Sequence, residues 1–308
     1  MAMDLNAMTF GIEIECGIPA EALDRLGWTV GAYHRGAEMA GFPGWKLMSD
    51  CSVHVRYPLV PGEVVSPILR GAEGLAEAAR MIAKLVEIGA RVNRSTGFHV
   101  HVGFTGSAQQ LRRLICFVAY HEKALYATTG TRSREHNHFC SSIKAAFRSL
   151  AELRSLSDIA NRHQSRYHVL NLQNLATGAR QTVEFRVFAG TLNATKIAAY
   201  IQLCLGIVQK ACDTSAPLPW DAPASKRQAR ERIGDGFLAV RRLINHLGWH
   251  ANGDRKAFGV FDRDTLPRLN AKLRELAVKY DGPIAETEAH PHDADVDSGA
   301  TGPDEMPF

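Results

Sequence analysis

The sequence predicts an α+β fold: a curved, mainly antiparallel sheet, helices packed on its outer face, and a helical C-terminal part. Three short segments carry that expectation. Phe10-Gly11-Ile12-Glu13-Ile14-Glu15-Cys16, Gly97-Phe98-His99-Val100-His101-Val102-Gly103-Phe104 and Thr182-Val183-Glu184-Phe185-Arg186-Val187-Phe188 all alternate apolar with polar residues. Side chains of an extended strand point to opposite faces in turn, so each segment has one face that packs and one that presents acids, imidazoles or a guanidinium. If the three lie in one sheet, the polar faces meet over a single site.

Bulk properties leave room for such a fold and exclude others. With 308 residues, 45% of them hydrophobic, the chain can bury a substantial core in one large domain or two intimately joined ones. No stretch has the roughly 18 uninterrupted apolar residues of a membrane span, and the N-terminus lacks a basic segment followed by an apolar run and a small-residue cleavage site. A soluble, cytoplasmic protein is expected. Cys16, Cys51, Cys116, Cys140, Cys204 and Cys212 have no CxxC spacing, which argues against a zinc ribbon or a secreted disulfide framework. Residues 285–308 hold seven acids and neither Lys nor Arg, leaving a body of 36 basic and 25 acidic side chains with a charge of +11. Such a body suits phosphate-bearing or acidic substrates; nucleic acid is not the expected partner.

In chain order, residues 9–16 form the first strand, and Pro19 with the amphipathic run 21–26 predicts a helix ending at Gly27. A glycine-rich loop follows. Residues 45–48 and 62–66 read as short strands separated by turn signals at Asp50-Cys51-Ser52, Pro58 and Pro61. The clearest helix covers 72–88, with Leu75, Ala78, Ala79, Ile82, Leu85 and Val86 at helical spacing and Gly89 as the exit. It leads into the dihistidine strand, 91–104. A second helix is expected over 108–128, then a loop over 132–140 rich in Arg, His and Asn, of a kind that can close over anionic ligands, then a helix over 141–162. Residues 166–172 can pair antiparallel with 182–188 across the turn signals Asn174 and Gly178. A third long helix runs over 194–212, prolines at 217, 219 and 223 break the chain, and 225–247 and 264–280 form further amphipathic helices. The acidic segment from Ala285 is expected to be disordered. The expected organisation is a catalytic domain over 1–215, a helical part over 216–284 packed on it, and the tail 285–308.

Glu13, Glu15, Glu63, His99 and Glu184 form a candidate metal set. Hard divalent cations such as Mg2+ prefer carboxylate oxygen, whereas imidazole nitrogen suits Mn2+ or Zn2+ and is tolerated in a mainly oxygen site. Four carboxylates with one or two histidines can hold two ions; idle, solvent-facing glutamates are the plain alternative, and His99 with His101 alone could bind zinc. The patterns GxxxxGK[ST], GxGxxG after a strand, HExxH, and HxE followed by PCxxC are absent, which sets aside the usual phosphate-cradle, dinucleotide, zinc-hydrolase and deaminase signatures.

Five segments in order, FGIEIE at 10–15, GEVVSPIL at 62–69, GFHVHVG at 97–103, Arg166-Tyr167 with Asn171, and TVEFRVFAGT at 182–191, resemble the amidoligase family. That family is similar to glutamine synthetase and glutamate–cysteine ligase, which join a carboxylate to an amine using ATP. The resemblance spans about residues 8–210. It implies a glutamine synthetase-like sheet, with ATP and two Mg2+ or Mn2+ ions as cofactors. Glu13 and Glu15 match paired ligands, one for each ion, and Glu63 matches a carboxylate ligand on the neighbouring strand. His99 matches the ligand of the ion that bridges the ATP phosphates, and Glu184 the last carboxylate of that site. Arg186 matches the arginine facing the transferred phosphoryl group. Arg166 sits where an arginine neutralises phosphate or a substrate carboxylate, with Tyr167 and Asn171 beside it as nucleotide-binding candidates. His101 is the position nearer the substrate, and Glu63 and His101 are candidates for the amine's proton. The implied partners are a small-molecule or peptide carboxylate and an amine co-substrate. One departure is Gly71, where glutamine synthetase has a further metal ligand; Asp50 or water can take that place. A guanidino or amine phosphotransferase of the same fold, and a nucleotide-binding protein without catalysis, are the alternatives.

Overall fold

Alternation along the first segment resolves into a strand, β1 (Thr9–Pro19), whose Phe10, Ile12, Ile14 and Cys16 are buried beneath helices. The computed structural model describes residues 3–147, 150, 153–159, 165–221, 234–250 and 256–282. Seven more strands join β1: β2 (Ala37–Met39), β3 (Phe42–Met48), β4 (Leu59–Val65), β5 (Leu69–Arg70), β6 (Gly97–Gly103), β7 (Leu170–Asn171) and β8 (Thr182–Ala189). They form one open sheet in the order β2-β3-β4-β1-β6-β8-β7, with β5 paired to the start of β1. Every strand pair in it is antiparallel, as the sequence predicts. The motif strands β4, β1, β6 and β8 are consecutive neighbours in its centre.

The apolar residues of those strands face a helical layer. A short helix, α1 (Ala20–Leu26), ends at Gly27 in the left-handed conformation, φ 65°, as the glycine predicts. Helix α2 (Gly71–Glu87) buries Leu75, Ala78, Ile82 and Leu85. Helix α3 (Ala108–Ala127) opens on a capping box between Ser107 and Gln110, which satisfies two otherwise orphaned N–H groups. The strands from 170 onward are preceded by the one-turn α4 (Ile143–Ala146), and α5 (Gln173–Thr177) lies between β7 and β8. Helix α6 (Ala194–Asp213) packs on β6, and α2 and α3 pack on α6. Its Tyr200 ring stacks on Phe188, centroids 4.1 Å apart. Helices α7 (Asp235–His246) and α8 (Leu266–Asp281) pack on each other and on α3, and α8 also packs on α6. With neighbours on so many sides, α6 is apolar nearly all round.

Several boundaries differ from expectation, each for a local reason. β4 begins at Leu59, so Pro61 lies inside a strand; β3 pairs with β4 only from Glu63 onward, and Pro61 therefore needs no partner on that side. The dihistidine strand begins at Gly97 instead of 91: Arg91 makes a lone bridge to Gly17, and Asn93 then captures Ser95 N at 2.9 Å and turns the chain. The strand expected over 166–172 shrinks to Leu170–Asn171, because His168 bridges in parallel to Ser141. Within 141–162 the described helical residues are those of α4 together with 158–159, and residues 148–149, 151–152 and 160–162 of that expectation lie outside the described residues. Parts of the expected helix 225–247 and the whole tail 285–308 also lie outside them. Among the described residues no helix is long and apolar enough to cross a membrane.

Candidate active site

Strand register sets the site. Glu13 faces His99 across β1 and β6, Glu15 faces Glu63 across β1 and β4, and His101 and Asn171 both flank Glu184 from either side of β8. Between Phe98↔Phe188 and Val100↔Phe185 the β6–β8 register shifts by one residue. This bulge leaves Arg186 and Val187 together opposite His99 and re-aims the strand at the centre of the site.

The side chains converge as that register requires. His99 Nδ1 lies 3.1 Å from Glu13 Oε2, and His101 Nε2 lies 2.9 Å from Glu13 Oε1, so one carboxylate spans both imidazoles. His99 Nε2 is 3.5 Å from Glu15 Oε1, and its Nδ1 is 3.7 Å from Glu184 Oε1. Glu184 is fixed from two directions, accepting from Arg186 Nη1 and from Asn171 Nδ2, the latter at 2.6 Å. Glu15 Oε2 accepts from the Gly97 N–H at 2.5 Å. Glu15, Glu63, His99, Glu184 and Arg186 are all buried.

Crowding governs the charges. Burial raises the Glu63 carboxyl, and repulsion from Glu13, Glu15, Asp50 and Glu184 adds to it, pushing the pKa up to about 10. Burial also disfavours charge on His101, but the Glu13 and Glu184 carboxylates outweigh it and push it up to about 9. Burial opposes ionisation of Glu13 too, yet His101 and then His99 hold it well below the usual carboxylate range. Glu184 is likewise lowered against its burial, mainly by Arg186, whose own pKa is raised by Glu184 and Glu13 in spite of desolvation.

Two overlapping triads could hold metal ions: Glu13, His99 and Glu184, and Glu15, Glu63 and His99, each with donor atoms within 4.8 Å of one another. The donor set is mainly carboxylate oxygen with one imidazole, which fits Mg2+ or Mn2+. The crowding of Glu13, Glu15, Asp50 and Glu184 around Glu63 marks where positive charge is short. The five expected metal residues are thus brought together. Gly71 opens α2 and lines neither cavity at the site, whereas Asp50 lines both, near Glu63.

A cavity of about 800 Å³ and a second of about 350 Å³ open from the triads and share Tyr33, Asp50, His99, Arg166 and Arg186 as walls. Arg94, Arg134, Arg166 and Arg186 line the larger one. Glu13, Glu63, His101, Asn171 and Glu184 line the smaller one, with Arg180 among the other walls. Arg166 hydrogen-bonds to the Tyr33 side chain and lies 5.4 Å over the Tyr167 ring, and all three line the larger cavity. Asn171 is turned inward onto Glu184, where it orients a carboxylate. Sequence reasoning singled out neither Tyr33 nor Arg134. The loop 132–140 carried a general signal for the second; Tyr33, in a glycine-bounded turn, carried none.

Residues 6–208 match the family model described as "Putative amidoligase enzyme". No curated protein matches the chain by sequence. Among solved structures, a bifunctional glutathione synthetase from Pasteurella multocida aligns with a TM-score of 0.49 at 9% identity, covering 89% of this chain and 48% of that one. A chain of the complex between the prokaryotic ubiquitin-like protein Pup and its ligase PafA aligns with a TM-score of 0.43 at 11% identity, over 89% and 64%. The chain therefore spans less than two thirds of either solved chain.

Proposed function

The chain belongs to this amidoligase family, and on that premise we propose that it is an ATP- and divalent-metal-dependent carboxylate–amine ligase forming an amide bond through an acyl phosphate. The observation that carries the reading is the pair of triads sharing His99 at the junction of two cavities, one of them arginine-lined. Catalysis is assigned to residues 1–215, with 216–284 as a supporting helical part and a cytoplasmic location where ATP is supplied.

A free carboxylate is a poor electrophile. Its oxygen must first attack the γ-phosphorus of ATP, with ADP leaving, and that step needs positioning and neutralisation of charge on the phosphoryl oxygens. Bound divalent cations supply part of that neutralisation as Lewis acids. Glu13, Glu15, Glu63, His99 and Glu184 are the groups that would hold them. Arg186, anchored by Glu184, is assigned to the transferred phosphoryl group. The larger cavity is of a size for a nucleotide, with Arg166 and Tyr167 at its wall, and Asn171 acts by orienting Glu184. In the second step the amine attacks the acyl carbon, phosphate leaves, and the amine gives up a proton. His101, oriented by Glu13, and Glu63 both line the smaller cavity and are the candidate acceptors, a role that requires bound divalent charge to displace the proton that each raised pKa holds in the metal-free fold. The substrates are a small-molecule or peptide carboxylate and an amine.

The test is incubation with ATP, Mg2+ and mixed amino acids and amines, reading phosphate release and product mass together. Phosphate appearing with a product equal to two substrates less one water supports the ligase. A stable phosphorylated product supports a phosphotransferase instead, and nucleotide binding without turnover a binding protein. Metal–nucleotide binding that is absent, or indifferent to Glu13→Ala and Glu184→Ala, would sink both the ligase and the phosphotransferase.

A further inference from the structure

The loop that follows α3 contributes a side chain for which the ligase reading has no task. Arg134 is 3% exposed, and its guanidinium donates from Nη2 to the Arg186 carbonyl at 2.7 Å and from Nε to the Val187 carbonyl at 3.4 Å. These are the two residues that the bulge leaves opposite His99. A bulge interrupts the ladder, and its carbonyls need other donors when buried; Arg134 supplies them. The loop is held in turn, since Cys140 Sγ donates to the Arg134 carbonyl at 2.9 Å and Glu135 accepts from Lys123 at 3.0 Å and from the Tyr280 hydroxyl.

The charge is unaccounted for by this clamp. Two carbonyls use two of the five N–H donors of a guanidinium, and among the described residues no carboxylate hydrogen-bonds to Arg134 or pairs with it. A buried cation without a counter-ion is costly. The side chain lines the larger cavity together with Arg94, Arg166 and Arg186, so an anion in that cavity removes the penalty.

We infer that Arg134 is a positioning and anion-binding residue: it fixes the β8 bulge under Arg186 and offers its remaining N–H groups to the phosphate chain of a nucleoside triphosphate in the larger cavity. The identity of the anion rests on the ligase reading; the anion site does not.

The test titrates inorganic tripolyphosphate, without metal, into the full chain and its Arg134→Gln and Arg134→Lys variants by calorimetry at several salt concentrations. Gln removes the charge, whereas Lys keeps it and loses the planar fork. Tripolyphosphate should bind Arg134→Gln about 10- to 100-fold more weakly, as expected for losing hydrogen bonds to a charged group, and with a shallower salt dependence. Arg134→Lys should lose less and keep the salt dependence. Unchanged affinity in Arg134→Gln overturns the inference, as does an equal loss in both variants with unaltered salt dependence, the result of a purely structural clamp. Should Arg134→Gln fail to fold, Arg134→His decides: tripolyphosphate affinity that rises relative to wild type as the imidazole gains its proton below about pH 6.5 supports the inference, and a ratio to wild type that does not change with pH overturns it. A second titration, Mg2+ with a non-hydrolysable ATP analogue into the wild-type chain, separates the two readings. Tripolyphosphate binding through Arg134 with no Mg2+–nucleotide binding removes the ligase reading and keeps the anion site.

Discussion

Glu13 and His99 face each other across β1 and β6, and their side chains meet at 3.1 Å, Oε2 to Nδ1. The other oxygen of Glu13 takes His101 at 2.9 Å. Two imidazoles on one strand face thus share a single carboxylate but differ in company, because only His99 belongs to both triads. His99→Ala is expected to weaken Mn2+–nucleotide binding about 10- to 100-fold, whereas His101→Ala should leave that binding near wild type and slow amide formation. Calorimetry with Mn2+ and a non-hydrolysable ATP analogue, beside a phosphate-release assay, checks the division. Loss of folding in both variants would return the pair to a structural role.

Gly97 makes a second test of the same cluster from the backbone side. A Cβ built there would lie 2.9 Å from His99 Nε2 and 3.2 Å from Glu15 Oε2, closer than side chains tolerate without moving. Both neighbours are side-chain ends that can shift, so Gly97→Ala should fold. The Glu15–Glu63–His99 triad should open, and Mn2+ affinity should fall while the melting temperature changes little. Metal affinity equal to wild type would remove Glu15 and His99 from the ligand set.

What the sequence made legible follows from the period of two. Glu13, His99 and Glu184 sit on strands whose alternation is a local backbone property, and the pairing of β1 with β6 and β6 with β8 follows once each strand must bury one face. The bulge was not legible. Val183, Phe185 and Val187 keep formal alternation, yet Phe188 is the residue that stacks on Tyr200, because the register shift is set by the partner strand and by Arg134 from a distant loop. Loop residues such as Tyr33 and Arg134 reach the site through tertiary placement, for which no local pattern exists. The strand expected over 166–172 was shortened by competition from Ser141, again a partner remote in sequence.

Cys51 supplies a probe for the proposed nucleotide chamber. It is the exposed member of the six cysteines and lines the larger cavity beside Asp50 and Ser52, while the other five are buried. A maleimide should therefore modify the folded chain once, at Cys51, in peptide mass analysis. Mg2+ with a non-hydrolysable ATP analogue should slow that reaction markedly. Saturating nucleotide that leaves the labelling rate untouched would place the nucleotide elsewhere.

A final expectation concerns stability away from the site. His121 of α3 is 2% exposed, and its Nε2 lies 2.9 Å from His246 Nδ1 of α7. Burial lowers the His121 pKa well below the ordinary imidazole value, and the nearby charges of His246 and Arg242 lower it further. His246 is lowered as well, by burial first and then by Lys210 and Arg242. Both histidines are thus harder to protonate in the fold than in the unfolded chain. The sign follows: their contribution to stability is complete above the unfolded imidazole pKa of about 6.5 and is lost as pH falls below it toward the depressed folded values. Each proton taken up on unfolding contributes a slope of up to about 1.4 kcal/mol per pH unit. Urea unfolding between pH 7.5 and 5 should show stability falling on the acid side, and His121→Gln, which keeps a hydrogen-bonding side chain but cannot take the proton, should flatten that fall. A variant curve parallel to wild type would mean that His121 takes up its proton alike in the folded and the unfolded chain.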